Sequence, residues 1–238
     1  MGVLEAAARI IELGGAPQEG RGPRVSAMRA AFEARTGAFA PEDPWFEERS
    51  RAFWCDAITL GRFGREVEGE LAAEDRAWLG PLERAHRGLF RRGEGPRERA
   101  GHAGHDHEEW LVDVWSGAEL LVNTVDDASR AELDAAAGQL FDARVAGAEG
   151  LAGGPLIALL PGAVFHPLEA NAAIDHVLAE ARGSDLPTNG VLDALLRMQR
   201  SLRALSRVKP AYAYRVEALR PSTAPPPIAV RRHPKDPT

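Results

Sequence analysis

The chain has 238 residues, 45% of them hydrophobic, a formal net charge of −6 and a single cysteine, which is enough apolar material for a buried core and for one large or two small domains. A globular class follows, and the lone Cys55 excludes a disulfide framework and a thiolate zinc cluster, because both need several cysteines. No run approaches the roughly 18 apolar residues of a membrane span, and MGVLEAAARIIELGG carries acids and an early arginine where a secretory leader needs a basic end and an apolar stretch, so a cytoplasmic protein is expected.

From the N-terminus, Val3, Leu4, Ala7, Ile10 and Ile11 share one helical face, and Gly14-Gly15 is expected to end that helix. A Gly, Pro and Arg linker runs to about Pro23, and a short helix from Ser26 to Arg35 offers Met28, Ala31 and Phe32. In PEDPWFEERSRAFWCDAITL, Asp43 is expected to cap a helix whose first position is Pro44, with Glu47 and Glu48 near the positive end of its dipole. Phe46, Phe53, Trp54, Ala57 and Ile58 make it a core helix, and Cys55 among them reads as a buried, inert thiol. A further helix with Val67, Leu71, Trp78 and Leu79 is interrupted at Gly80-Pro81, and Leu82 to His86 adds a turn or two before a break at Gly88.

Beyond Gly88 the period changes. WLVDVW and AELLVN, joined by Ser116-Gly117, form the pattern of a tight hairpin. LFDARV and Leu156 to Leu160 supply two more strands, Gly162 to Phe165 a fifth, and Gly88-Leu-Phe-Arg an edge strand. Four to six short strands in one stretch predict a small SH3-like or OB-like β-barrel. Helices return at His166-Pro167, with Ile174, Val177, Leu178 and Ala181 on one face. Asn189 is expected to cap a last helix that turns Leu192, Leu195, Leu196, Leu202 and Leu205 inward. The expected whole is an α+β protein with a helical N-terminal layer over 1–87, a small β-barrel over 88–166, two C-terminal helices over 167–210, and a disordered Pro/Arg-rich tail over 211–238.

FEARTGAFAPEDPWFEERSRAFW, LERAHRGLFR, LVDVWSGAELLV, LFDARV and LLPGAVFHP, in that order, resemble the sequences of an uncharacterised group of bacterial proteins, over most of residues 26–210. Some relatives of that group carry a SEC-C zinc motif. The resemblance implies a helix, barrel, helix architecture and no known activity, and the cysteines of the zinc motif are absent from this chain.

Three features carry candidate chemistry. GHAGHDHEEW places His102, His105 and His107 among carboxylates able to hold a borderline divalent metal. Neither the zincin H-E-x-x-H nor the His-x-His-x-Asp-His spacing is present, so a solvated loop competes with a metal-dependent hydrolase in which His86 or His166 completes the ligands. The second feature is charge segregation: from Val191 onward ten Lys and Arg face three acids. Arg197, Arg200, Arg203 and Arg207, extended by Lys209, form a positive ridge that suits phosphates or an acidic protein, or else docks on the acidic front of the same chain. The third is an absence: LAGGP lacks a phosphate-loop spacing, Ser116 lies in no nucleophile elbow, Asp126, Asp127 and Asp142 read as capping or edge-strand carboxylates, and no motif calls for a cofactor. The expected function is therefore a non-enzymatic cytoplasmic adaptor or regulatory protein that binds a protein partner through the barrel or the basic helix, with nucleic-acid binding as the alternative.

Overall fold

The computed structural model describes residues 2–16, 18–94, 108–149, 155–205 and 208–220. The front layer is built from α1 (Val3–Gly15), α2 (Arg21–Thr36) and α3 (Phe46–Thr59), followed by the short helices α4 (Phe63–Glu66), α5 (Ala73–Arg76) and α6 (Leu79–Glu83). On α1, Val3, Ala6, Ala7 and Ile10 recur on one face and are buried. The helix ends at Gly15, within the glycine pair expected to end it, and Gly14 lies against aromatic rings: a Cβ there would stand 2.6 Å from Trp54 and 2.9 Å from Phe63. The linker before α2 is shorter than expected, since Pro23 falls in the first turn of the helix, where a missing amide breaks no helical bond. Asp43 does not cap α3. Its carboxylate accepts from the Ala40 amide (2.8 Å) and its carbonyl from the Phe46 amide (3.0 Å), so it ties the preceding turn together and α3 starts two residues after Pro44. Pro81 likewise sits in the first turn of α6 and does not break it.

The strands are β1 (His86–Arg92), β2 (Glu109–Asp113), β3 (Glu119–Val122), β4 (Phe141–Glu149), β5 (Pro155–Leu159) and β6 (Val164–Phe165). They pair antiparallel in the order β3-β2-β1-β4-β5, with β6 on β4. The segment expected as an edge strand is thus the middle one. Gly88 does not break it but keeps space inside it, since a Cβ there would come within 2.7 Å of the Phe90 ring. The sheet curls until its edges touch: Thr124 bridges Ala158 in parallel, with the Asn123 amide on the Ile157 carbonyl (3.0 Å) and the Leu159 amide on the Thr124 carbonyl (3.0 Å). The barrel expectation thus takes the form of a half-barrel in an α+β fold.

Inside the curl, Phe90, Leu111, Val122, Phe141 and Leu159 are buried, and removing each such side chain from water contributes about 1.5–3 kcal/mol. Leu133 from α7 (Asp127–Ala135), a helix with no counterpart among the expected elements, packs into the same cluster. Asp126 caps it, accepting from the Ser129 amide (2.9 Å) and hydroxyl (2.7 Å).

The helices α8 (Asn171–Arg182) and α9 (Thr188–Ala204) cover the far side of β1, where Ile174, Val177 and Leu178 meet Leu192, Leu195 and Leu89. Asn189 lies in the first turn of α9 and is not its cap; Pro187 holds that position and no side chain caps the helix. Of the tail expected over 211–238, residues 211–220 form tight turns that bury Ala213, Tyr214 and Leu219 against α8 and α9. Residues 221–238 lie outside the described residues. Among the described residues no helix is long and apolar enough to cross a membrane.

Candidate functional site

β1 and β4 place Arg87 directly opposite Arg144. Two like charges facing each other across a ladder repel, and both side chains are more than nine-tenths buried, so each needs a carboxylate. Arg87 donates Nε to Asp142 (3.0 and 3.2 Å) and Nη2 to the same carboxylate (2.6 Å), while its Nη1 reaches Asp193 on α9 at 2.7 Å. Arg144 donates to Asp56 on α3 at 2.5 Å. Arg35 on α2 closes the series, donating to Asp56 (2.6 Å) and Asp193 (3.1 Å).

Acid and base alternate from Asp142 through Arg87, Asp193, Arg35 and Asp56 to Arg144, drawing on β4, β1, α9, α2 and α3. The alternation locks both helical layers to the sheet. Burial alone works against the Arg87 charge, but the Asp142 and Asp193 carboxylates outweigh it and hold the guanidinium pKa above its ordinary value. Asp142 is therefore an interior anion of a central strand, which corrects its reading as an edge-strand or capping carboxylate. A signal for these residues is present in the chain: Asp56 in FWCDAI, Asp142 and Arg144 in LFDARV and Asp193 in VLDALL are charges inside apolar runs, and buried charges are seldom without partners.

The two cross-strand arginines form part of the wall of a cleft of about 470 Å³. The end of α3 contributes Thr59 and Leu60, the β2–β3 turn Trp115 and Ser116, and the start of α9 Thr188 and Asn189. The first amides of a helix have no acceptor within it and carry the positive end of its dipole. With Pro187 as N-cap no side chain caps α9; the Gly190 amide reaches the Pro187 carbonyl (2.8 Å), which leaves those of Thr188 and Asn189, both on the cleft wall. Arg84 and His86 stand exposed at the rim. Beside His86 is Asp113, buried, which accepts from the Trp115 amide (3.0 Å) and the Ser116 hydroxyl (2.7 Å) and lies 3.1 Å from His86 Nε2.

His86 and Ser116 thus approach the same oxygen of Asp113, and that geometry is not a nucleophile relay, in which the hydroxyl would sit on the imidazole and the carboxylate behind it. It fixes the imidazole and closes the hairpin turn. Cys55 does not contribute a nucleophile: it is buried, and burial raises its thiol pKa.

His102, His105 and His107 lie outside the described residues. Of the two histidines considered as a third ligand, His86 belongs to the cleft rim and His166 is buried with Nδ1 2.7 Å from the Tyr214 hydroxyl. Among the described residues no group of three or more His, Cys, Asp or Glu is placed to hold a metal ion. The basic ridge of α9 faces the front layer. Arg197 donates to the carbonyls of Arg35 (2.5 Å) and Leu219 (3.2 Å), and burial lowers its pKa. Arg200 lies against Gly37, and Arg203 pairs with Glu48. Lys209 is exposed, and Arg207 is outside the described residues.

Comparison of the chain with protein-family models, with curated proteins and with solved structures finds no match.

Proposed function

We propose that this is a non-enzymatic cytoplasmic binding protein whose cleft takes a small ligand bearing a carboxylate or phosphate group. The observation that carries this reading is the Arg87 and Arg144 pair on the cleft wall, held in place by buried carboxylates and accompanied by the uncapped start of α9. Arg87 has all three nitrogens on Asp142 and Asp193, so the direct oxyanion contact falls to Arg144, which places one nitrogen on Asp56. A guanidinium fixed by packing meets an oxyanion with little further loss of freedom, and helix amides add oriented donors. Trp115 and Leu60 supply the apolar surface that ligand clefts use for the rest of a molecule. The shared Asp113 favours binding over acyl transfer, since Ser116 is tied away from His86. A lone buried Cys55 suits a reducing compartment.

Calorimetric titration with inorganic phosphate and with malonate tests the reading. Arg84→Ala with His86→Ala removes two exposed rim groups without touching the buried alternation. The expected result is saturable binding by the natural protein that weakens about tenfold or more in the double variant, by the usual worth of charge-assisted contacts. No heat with either anion, or equal heat from both proteins, overturns it.

A second reading, an adaptor that binds a protein partner, is favoured by one surface feature. Leu168 and Tyr212 are 53% and 68% exposed on turns that touch each other. Leu168→Asp with Tyr212→Asp is expected to abolish a specific partner contact in crosslinking; a partner retained by that variant removes the reading.

A further inference from the structure

Away from the cleft, where α3, β6 and α9 meet, four buried nitrogens have no hydrogen-bond partner among the described residues: Nε and Nη1 of Arg49, Nε of Arg200 and Nε2 of His166. Arg49 is wholly buried. Its Nη2 closes the end of α2 by donating to the carbonyls of Thr36 (2.6 Å) and Gly37 (3.4 Å), and its other two donor nitrogens are unmatched. The three residues belong to one locality. Arg200 packs on Gly37, where a Cβ would stand 2.7 Å from its Cδ. Phe165, next to His166, donates its amide to Glu48 (3.2 Å) and accepts at its carbonyl from Gln199 (3.0 Å), the residues that precede Arg49 and Arg200.

The charges do not balance there. Among the described residues neither Arg49 nor Arg200 has a carboxylate within ion-pair distance, and the nearby Glu48 is already engaged by Arg203, Gln199 and the Phe165 amide. Burial lowers the Arg49 pKa to about 10, so the group is still a cation at neutral pH. His166 is neutral there, because burial depresses its pKa to about 4. Which ring nitrogen carries the proton depends on the tautomer; in the one where the Tyr214 hydroxyl donates to Nδ1, the proton sits on Nε2 and all four unmatched atoms are donors. A buried guanidinium with no carboxylate in contact is destabilised, and Glu48 and Asp142 favour the Arg49 charge only from beyond ion-pair distance. A water molecule would supply an acceptor but no charge.

We propose that Arg49, Arg200 and His166 form an internal site for a small monovalent anion of the halide class, chloride in the cell. The burial of all four donors favours a single-atom ion over phosphate or a carboxylate ligand, so this site is distinct in chemistry from the cleft. Halide binding at α3, β6 and α9 couples the ionic environment to the packing of the front layer on α9.

The test uses the full chain in sodium gluconate, exchanged stepwise for sodium chloride or bromide at constant ionic strength. The thermal midpoint is expected to rise by about 5 °C once halide reaches one hundred times its Kd, and the rise is expected to vanish in Arg49→Met and in Arg200→Met. Because Arg49→Met also loses the α2 contacts and risks not folding, crystals of the natural protein grown in bromide give an independent readout: an anomalous peak between Arg49, Arg200 and His166. A flat midpoint through the halide series, a halide effect that persists in Arg200→Met, or density for water without a bromide peak overturns the proposal.

Discussion

His166 makes the folded state sensitive to mild acid, and the size of the effect follows from its surroundings. The ring is wholly buried, with Tyr214 on Nδ1, and this burial works against a positive charge; the Asp142 carboxylate favours one, Arg203 and Arg49 oppose it, and burial prevails. The folded-state pKa is about 4, against an ordinary value of 6.5. Between those values the unfolded chain binds a proton that the folded protein refuses. Stability is therefore complete above pH 6.5 and declines as pH falls toward 4, by on the order of 3 kcal/mol. His166→Gln removes that titration and leaves every carboxylate in place. Urea unfolding at pH 7.5, 6, 5 and 4.5, in chloride-free buffer so that halide uptake does not enter the slope, isolates the contribution as the difference between the two proteins. The variant is expected to be the less stable at pH 7.5, where it lacks the Tyr214 contact, and to close the gap as the pH is lowered. Parallel pH profiles would refute the reasoning, since they would mean that the imidazole carries its charge equally well in both states.

Three further outcomes are expected. Asp193→Asn leaves Arg87 and Arg35 facing one carboxylate each and should lower unfolding stability by about 3–5 kcal/mol; a loss below 1 kcal/mol would show that the alternation is not a unit. Gly162→Ala, at φ +106° with a Cβ that would stand 2.6 Å from the Arg51 carbonyl, should cost about 1–3 kcal/mol in denaturant melts, and a neutral result would show that β6 can shift freely against α3. Replacing Arg197, Arg200 and Arg203 together with glutamine should lower the thermal midpoint, because the first and last hold carbonyls and Glu48; a triple variant as stable as the natural protein that no longer binds a polyanion column would restore the ridge as a nucleic-acid surface.

What the sequence disclosed and what it withheld divide along physical lines. Periodic faces were legible: Val3, Ala7 and Ile10 of α1 and Ile174, Val177 and Leu178 of α8 are buried where the spacing puts them. The hairpin was legible as well, from turn chemistry, and Gly117 does adopt positive φ, although the turn between Asp113 and Glu119 is longer than the two residues Ser116-Gly117. Helix α7 escaped because in DASRAELDA only Leu133 and Ser129 are buried, too few for a period. The central place of β1 escaped because HRGLFRR looks like a charged edge until Asp142 and Asp193 are seen on Arg87. The cleft was not legible. Its wall depends on contacts across 55, 106 and 88 residues of chain, and no local pattern records which distant carboxylate answers which arginine. The histidine cluster, by contrast, was conspicuous in the sequence because composition is visible without geometry.

The contact between Thr124 and Ala158 has a bearing on solubility in a crowded cell. A curled sheet of this size would otherwise present two rows of unpaired amides and carbonyls, along β3 and along β5, each a template for another chain to add a strand. Backbone bonds between residues 123–124 and 157–159, reinforced by the Asn123 side-chain oxygen accepting from the Ile157 amide at 2.9 Å, use the ends of those rows against each other. Loosening that seam would expose both templates at once, so conditions that open it, or loss of the Asn123 side chain, should produce strand-paired aggregates before the helical layers unfold.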